Sequence, residues 1–349
     1  MASRPGRERI SGPRLTKVVI LGAGSIGCFV GGCWQLAGID AHFIGRPSFE
    51  REIADHGVTL SDYSGWQASL TPDQVDYRCD PSALADADII ALCVKSGATT
   101  DAAMEVATHG RPGATVISFQ NGISNVEVLE RELGHRFTVV RGMVPYNVAY
   151  LGDGRFHKGV AGILYAEDRP ETRALSAAIG QSPAALNLSS DMLGVAWGKL
   201  LINLNNAVNA LSGRTLVEQL RERDYRRVVA ASQREGLRLL AKAGIEPAKV
   251  GAVGPALLPS VIGSPDWLFR NLFMKAWKID AKARSSMADD LAAGRRTEVD
   301  YINGELVALA DRLGEPAPVN RKIVELIRRA EGGAPALPPA ELRREVLGR

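Results

Sequence analysis

Three polar residues, Lys199, Asn203 and Asn206, interrupt an otherwise apolar stretch of the chain, WGKLLINLNNAVNA at 197–210. A helix turns by about 100° per residue, so these three positions lie within roughly 60° of each other on one face. Burying an ammonium group without a partner is costly. The pattern therefore predicts a buried helix whose polar face meets another polar group or a cavity.

A carboxylate and a hydroxyl that could complete such a site occur in the segment 283–314. Apolar residues recur there at the spacing of a helix: Val299, Ile302, Leu306, Leu309 and Leu313. With Thr297 as its N-cap and Asp300 in the third position, this pattern predicts an amphipathic helix starting after Thr297. Glu298 is then expected in the first turn, at the positive end of the helix dipole. Ser286 and Asp290 are four residues apart and should share a face of the preceding helix.

An ammonium, a carboxylate and several amides together suit the reduction of a ketone. Hydride addition leaves negative charge on the carbonyl oxygen, which an ammonium group stabilises and to which it supplies the proton. Burial lowers the pKa of a lysine from its usual value of about 10.4 toward a useful range. A carboxylate near Lys199, with Glu298 as the candidate, is expected to prevent an isolated buried charge. The alternative interpretation is a structural polar network.

A glycine-rich turn near the start of the chain predicts a dinucleotide site. The β-branched run at 18–21 suits a buried strand, and GAGSIG at 22–27 follows it directly, before an apolar helix-like segment that ends at Gly38. In such a turn the first glycine permits the bend, the second admits the pyrophosphate and the third lets the helix pack on the strand. The residues predicted to bind the cofactor here are Gly22, Gly24, Ser25, Ile26 and Gly27.

The end of the second predicted strand, DAHFIGR, indicates which dinucleotide binds. An acidic residue at this position would favour NAD, but the chain has Arg46 within Gly45-Arg46-Pro47. Because a guanidinium pairs well with a ribose 2′-phosphate, we expect NADPH/NADP+ as the cofactor. The alternative is that Arg46 simply points into solvent.

Three further predicted strands, at 87–96, 114–122 and 137–146, alternate with helix-like segments. Such alternation predicts a mostly parallel sheet with ligands beyond the carboxyl ends of its strands. Lys95 and Asn121 stand at two of those ends, so both are expected to meet the cofactor, and Asn121 also the substrate. The alternatives are a solvent-facing lysine and an Asn-Gly turn.

These elements define the predicted architecture, an α/β fold with an N-terminal Rossmann-type doubly wound sheet and a C-terminal all-α domain. From about residue 190 onward the pattern is helical. The expected divisions are a disordered basic tail at 1–14, an NADP-binding domain at 15–188, a helical substrate domain at 189–335 and a C-terminal tail at 336–349. The Pro-rich sequence at this end is open to two interpretations, a loose tail or a short helix packed on a neighbour.

Composition excludes several classes of function. The net charge of +3 is small for 349 residues, and the arginine pairs, Arg226-Arg227, Arg295-Arg296 and Arg343-Arg344, are scattered along the chain. This scatter argues against nucleic-acid binding, and we interpret the pairs as solvated helix faces. No apolar run approaches the length of a membrane span. The four cysteines, Cys28, Cys33, Cys79 and Cys93, have no metal-binding spacing. We therefore expect a cytoplasmic protein that binds no metal, with a homodimer left open.

The motifs GAGSIG, CVKS, QNG, WGKLLIN, SSMADDLAAGRRTEVDYING and PAPVN occur in this order over about residues 16–331. In this combination the chain resembles the ketopantoate reductase (2-dehydropantoate 2-reductase) family. The resemblance implies NADPH-dependent reduction of ketopantoate to pantoate on the way to pantothenate and coenzyme A. The chain departs from the family at Ala207, where members often carry a second asparagine. Asn206, on the same helix face as Lys199, can take the place of that asparagine.

The resemblance also implies roles for individual residues. Lys199 matches the family's catalytic proton donor and Glu298 its essential glutamate, which we expect beside both cofactor and substrate. The residues implied to contact the substrate are Asn121, Lys199, Asn203, Asn206 and Ser286. Lys95 matches a lysine that approaches the cofactor. Two alternatives stay open: a reductase of a different 2-oxo acid, and a non-catalytic NADP-sensing protein on the same scaffold.

Overall fold

A computed structural model describes residues 17–274, 280 and 282–348 of the chain. The predicted basic tail at 1–14 lies outside the described residues, as does part of the helix-like segment 264–280. Strands occur up to Ser189, and the described chain beyond it is helical. The predicted fold class, a Rossmann-type sheet followed by an all-α domain, is confirmed.

The N-terminal domain is built on a sheet that, among the described residues, has eight strands in the order β12-β11-β8-β7-β6-β1-β2-β5. These are β1 (Lys17–Leu21), β2 (Asp40–Ile44), β5 (Tyr77–Arg78), β6 (Ile89–Leu92), β7 (Thr115–Ser118), β8 (Thr138–Met143), β11 (Leu164–Glu167) and β12 (Leu186–Ser189). Neighbours pair in parallel except β8 and β11, which are antiparallel. The strand order reverses beside β1, so a ligand crevice is expected beyond the carboxyl ends of β1 and β6.

Helices cover both faces of this sheet, which explains its continuous apolar strands. They are α1 (Ser25–Leu36), α2 (Pro47–His56), α3 (Thr99–His109), α4 (Asn125–Leu133) and α5 (Pro170–Ile179). The sequence analysis missed a second sheet in the order β4-β3-β10-β9, formed by β3 (Val58–Asp62), β4 (Gln67–Leu70), β9 (Val148–Tyr150) and β10 (Arg155–Lys158). It packs on α1 through the fully buried side chains of Leu60 and Phe156.

The helical domain surrounds one long buried helix, α6 (Met192–Ser212), which contains the polar face predicted from sequence. The other helices are α7 (Leu216–Arg221), α8 (Arg223–Lys242), α9 (Leu258–Ile262), α10 (Asp266–Leu268), α11 (Ser286–Ala292), α12 (Asn303–Leu313), α13 (Pro318–Glu331) and α14 (Pro339–Leu347). Among the described residues, no helix is long and apolar enough to cross a membrane.

The structure corrects the predicted helix start at Thr297. A 3₁₀ turn occupies Val299–Tyr301 and α12 begins only at Asn303, because the backbone at Ile302 (φ −118°, ψ −82°) leaves the helical path. Asp300 pairs with Arg328 at 2.7 Å instead of completing a capping box. The apolar spacing predicted one continuous helix because the 3₁₀ turn and α12 bury side chains on the same side. Glu298 therefore precedes a 3₁₀ turn and gains no full helix dipole.

One further expectation for the helical domain needs correction. Arg226, assigned to a solvated face, is fully buried, donates to the carbonyls of Ile262 and Ser264 at 2.8 and 2.7 Å, and pairs with Asp266.

At the C-terminal end, the structure has the short packed helix that the sequence left open beside a loose tail. This helix is α14, and it packs on α8. There the Tyr225 hydroxyl donates to the carbonyl of Leu337 at 2.7 Å.

The packing of α14 leads to a first prediction. Leu342 is fully buried in the core of the helical domain, so Leu342→Ala should lower the free energy of unfolding by about 2–5 kcal/mol through lost contacts and a cavity. Chemical denaturation measures this change. The exposed neighbour Arg344 provides the control, because Arg344→Ala should stay within about 0.5 kcal/mol of the wild type. Equal stability of both variants would show that α14 is not part of the folded core.

Candidate active site

The glycine-rich turn between β1 and α1 has the geometry that a bound pyrophosphate requires. Gly22 has a φ of +89°, and a Cβ there would lie 2.5 Å from the backbone nitrogen of Val94. A Cβ at Gly27 would lie 2.9 Å from Cγ2 of Ile20, so α1 packs closely on β1. A Cβ at Gly24, by contrast, would have no neighbouring atom within 4 Å. Only the middle glycine thus leaves open space, on the side from which a phosphate would approach.

The first turn of α1 presents backbone donors to that space. Gly24 is the N-cap residue and provides no side-chain cap. The N–H groups of Ser25, Ile26 and Gly27 have no acceptor among the described residues. Unsatisfied N–H groups at the positive end of a helix bind anions, and phosphate groups in particular.

Arg46 stands where the sequence analysis placed it, after β2 and directly before α2. Its side chain is exposed, and the guanidinium carbon lies 5.2 Å from the centre of the Phe49 ring. No carboxylate lies within 4.0 Å of it in the described part of the chain. The charge is therefore available to an anionic ligand, supported by a cation–π contact.

Glu298 is fixed against the carboxyl ends of β6 and β7. Its Oε1 accepts from the backbone N–H of Ser96 at 3.0 Å and lies 3.0 Å from the Ser96 hydroxyl. Its Oε2 accepts from Nδ2 of Asn121 at 3.0 Å. The hydroxyl of Ser96 also lies 2.7 Å from the carbonyl oxygen of Asn121. A carboxylate from the helical domain is thus held by polar groups of the sheet domain.

The amide of Asn121 continues this network to α6. Its Oδ1 accepts from Nδ2 of Asn203 at a long distance of 3.4 Å. Asn125, buried at the start of α4, donates to the carbonyl of Asn121 and to the Ser96 hydroxyl. The order of groups is therefore Glu298, Asn121 and Asn203, and Asn203 lies one helical turn after Lys199.

Lys199 is partly buried, and its Nζ donates to the carbonyl of Pro145 at 3.2 Å. Burial lowers the pKa of Lys199 from 10.5 to about 8. The carboxylate expected beside it is absent among the described residues: none lies within 4.0 Å, because Glu298 is held by Ser96 and Asn121 instead. The charge faces a cavity and not a counterion.

That cavity has a volume of about 340 Å³. Its polar lining includes all three residues of the predicted stripe, Lys199, Asn203 and Asn206. Its apolar lining comes mainly from helices and loops of the helical domain: Ile202, Leu216, Leu220, Val253, Leu258 and Ile262. The unusual polar face of α6 therefore borders a space of the size that small-molecule ligands occupy.

Two of the predicted site residues, Lys95 and Ser286, lie outside the lining of this cavity. The Nζ of Lys95 pairs with Asp290 at 2.5 Å, and Asp290 also accepts from Arg295 at 3.0 Å. Lys95 thus bridges the two domains. Ser286 is exposed at the first position of α11 and does not line the cavity, whereas its neighbour Ser285 is buried and caps the helix.

Sequence reasoning missed two residues of this region, Ser96 and Gln233. Ser96 follows Lys95 at the carboxyl end of β6, so its position was a usable signal. Gln233 lies on α8, and only the packing of α8 against α6 brings it to the cavity. Among the described residues, no group of three or more His, Cys, Asp or Glu side chains is placed to hold a metal ion.

A glycine-rich turn beside a strand-order reversal, together with a polar cavity lined largely by a second domain, is typical of a two-domain dinucleotide-dependent oxidoreductase. Comparison with known families identifies the family within this class. The model described as "Ketopantoate reductase PanE/ApbA" matches residues 18–171, and its C-terminal counterpart matches residues 191–331. The chain belongs to the ketopantoate reductase family, and its cofactor is a nicotinamide dinucleotide.

Individual relatives cover nearly the whole chain. A 2-dehydropantoate 2-reductase of Archaeoglobus fulgidus is 29% identical, covering 92% of this chain and 99% of its own length. The crystal structure of a PanE/ApbA family ketopantoate reductase from Ralstonia eutropha has a TM-score of 0.76 at 29% identity, covering 91% of this chain and 99% of its own. A D-mandelate dehydrogenase solved with NADH and anilino(oxo)acetate has the same fold, with a TM-score of 0.75 at 18% identity and coverage of 91% and 99%.

The buried ammonium of Lys199 leads to a prediction about stability. Because burial lowers its pKa to about 8, the charge destabilises the folded protein fully below that pH. This cost fades as the pH rises from about 8 through the unfolded pKa of about 10.4, and above that pH neither state is protonated. Lys199→Met should therefore raise the free energy of unfolding by about 1–3 kcal/mol near neutral pH, and by less near pH 10.

Denaturation at several pH values tests this expectation. The exposed Lys249 supplies the matched control, and Lys249→Met should change stability little at any pH. A Lys199→Met protein that is less stable than the wild type near neutral pH would contradict the view that the ammonium is held at a cost.

Proposed function

We propose that this protein reduces ketopantoate to pantoate with NADPH, and that Lys199 is the general acid. The observation that carries the proposal is the placement of Lys199. Its ammonium group, with a pKa lowered to about 8, lines a ligand-sized cavity together with Asn203. The Archaeoglobus relative named 2-dehydropantoate 2-reductase supports the choice of substrate.

The residues present fit an NADP cofactor. The open space at Gly24 and the free N–H groups of Ser25, Ile26 and Gly27 suit the pyrophosphate. The exposed Arg46 suits the 2′-phosphate of NADP. Lys95, Asn121 and Glu298, near the carboxyl ends of β6 and β7, are proposed for the nicotinamide half. When bound, the reduced nicotinamide supplies the hydride.

The chain's own groups supply the proton and the orientation. Lys199 donates a proton to the carbonyl oxygen of the substrate as negative charge develops there, and the neutral amine then regains a proton from solvent. Asn203, Asn206 and Asn121 are proposed to position the substrate by hydrogen bonds. Ser286 is exposed and lies outside the cavity lining, so we assign it no contact with the substrate. Glu298, fixed by Ser96, keeps the amide of Asn121 oriented toward Asn203.

The decisive experiment is a steady-state assay of NADPH oxidation with ketopantoate and a panel of other 2-oxo acids. We expect ketopantoate to have a kcat/KM well above the rest. Lys199→Ala should lower kcat by about 10²–10⁴-fold, the usual contribution of general acid catalysis. Lys249→Ala, a surface control, should leave it unchanged. A Lys199→Ala enzyme with normal kcat would exclude the proposed role.

The pH dependence checks the same role independently. Because the acid must be protonated and its pKa is about 8, kcat/KM of the wild type should fall as the pH rises above that value. A rate that stays level well above this pH would point to another proton donor.

Arg46 generates the prediction on cofactor choice. Arg46→Ala removes a charge-assisted contact with the 2′-phosphate and should reduce the NADPH over NADH preference by about 10–100-fold. The KM values of both cofactors measure it, with Arg51→Ala, an exposed arginine on the same helix, as the control. An unchanged preference would mean that Arg46 only faces solvent.

A reductase of a different 2-oxo acid is the second candidate. The observation that favours it is the extended apolar wall formed by Leu216, Leu220, Leu258 and Ile262, which has room for a bulky side chain. The neighbouring D-mandelate dehydrogenase was solved with the aromatic ligand anilino(oxo)acetate. The substrate panel separates the two candidates. A non-catalytic NADP sensor would bind NADPH and reduce no acid on that panel.

We also propose that the protein works in the cytoplasm and as a homodimer. All four cysteines are free thiols, which suits a reducing compartment. Trp267 and Leu272 are large apolar side chains that are 68% and 55% exposed, as expected of a surface covered by a second subunit.

A further inference from the structure

The part of the cavity wall that comes from the helical domain contains an unpaired hydrogen-bond acceptor. Gln233 of α8 is only 2% exposed and lines the cavity. Its Nε2 donates to the carbonyl of Leu201 at 3.1 Å, whereas its Oε1 has no partner among the described residues. Since only the NH₂ side of an amide can donate to a carbonyl, this bond fixes the orientation of the amide. The free atom at Gln233 is therefore the oxygen.

A second amide oxygen is in the same condition. Asn205 of α6 lines the same cavity, and its Oδ1 is buried and has no partner in the described part of the chain. Asn205 lies one helical turn after Leu201, the residue to which Gln233 donates. Buried polar groups in native proteins are nearly always hydrogen-bonded. Two unpaired acceptors among the residues that line one cavity indicate a ligand that carries a donor.

The rest of the lining restricts what that donor is. Among the described residues that line the cavity, Lys199 has the only charged side chain, and none is a carboxylate that could receive a cationic ligand. A neutral hydroxyl therefore fits better than an amine. The same lining includes apolar side chains of the helical domain, from Leu216, Leu220, Leu258 and Ile262. Such a wall suits branched carbon between the hydroxyl and the carbonyl group that Lys199 would protonate.

We propose that Gln233, assisted by Asn205, determines substrate specificity by accepting a hydrogen bond from a hydroxyl on the side chain of the 2-oxo acid. The proposal rests on the function proposed above and adds to it. Lys199 acts on the carbonyl end, and Gln233 selects a branched, hydroxylated side chain. A site whose buried acceptor is left unpaired by the wrong substrate discriminates more strongly than an apolar pocket does.

A matched pair of substrates tests this role. Ketopantoate and 3,3-dimethyl-2-oxobutanoate differ only by the hydroxyl group, so the ratio of their kcat/KM values reports on its recognition. We expect the wild type to favour ketopantoate by about 10²-fold or more. Gln233→Met keeps the shape but removes the acceptor, and should lower the ratio by about 10-fold or more. The loss should fall on ketopantoate, while the rate with the dimethyl acid is retained.

Three further variants make the result specific. Asn205→Leu should lower the same kcat/KM ratio by a smaller factor. This variant tests the proposal if Gln233→Met does not fold. Gln233→Glu keeps an acceptor but loses the donor to the carbonyl of Leu201, so its preference should fall between those of the wild type and Gln233→Met. Gln219→Met removes another fully buried amide, on α7 and outside the cavity lining, and should leave the ratio unchanged.

The outcomes separate the two proposals. A wild type that reduces both acids equally well would overturn the role of Gln233 and leave the reductase intact. A preference for ketopantoate that survives in Gln233→Met and Asn205→Leu would also overturn the role of Gln233 without affecting the reductase. It would indicate that ordered water satisfies the two oxygens. Failure of the wild type to reduce either acid would overturn the proposed function and this inference together.

Discussion

The site depends on an ammonium group, that of Lys199, which has no counterion among the described residues. Lys199 is enclosed enough for its pKa to fall to about 8, and its hydrogen-bonding partner is a neutral carbonyl. Such an arrangement costs stability, and the surrounding apolar faces of α6, packed against α8 and α13, must offset it. The long buried helix and its dense core are thus what permits the reactive lysine to exist.

The carboxylate that was expected to neutralise Lys199 binds other groups instead. Glu298 is engaged by the backbone and hydroxyl of Ser96 and by the amide of Asn121. These donors lie at the carboxyl ends of β6 and β7, beside the reversal in strand order where a dinucleotide would enter. The interaction, with the Lys95–Asp290 pair, sets the position of the helical domain relative to the sheet. Domain docking and site geometry therefore depend on the same contacts.

Most of the fold could be predicted from residue patterns, because buried parallel strands and amphipathic helices have characteristic periods. The second sheet was missed, since its short strands alternate weakly and pair at long range. The start of α12 was misplaced because a 3₁₀ turn and a helix in succession kept the apolar spacing of Val299, Ile302 and Leu306. Arg226 shows that the burial of a single residue can escape prediction from sequence. Nothing in the local sequence distinguishes it from solvated arginines, and only packing buries it.

The sequence by itself determined which residues share the polar face of α6, because helical geometry places Lys199, Asn203 and Asn206 together whatever surrounds them. It also determined the glycine turn, whose positive φ at Gly22 and close contact at Gly27 tolerate no side chain. Only the tertiary structure decided that Glu298 binds Ser96 and Asn121, leaving Lys199 without a carboxylate partner. It alone brought Gln233 to the cavity. These pairings join residues far apart in the chain, and their distances depend on how the two domains and the helices pack.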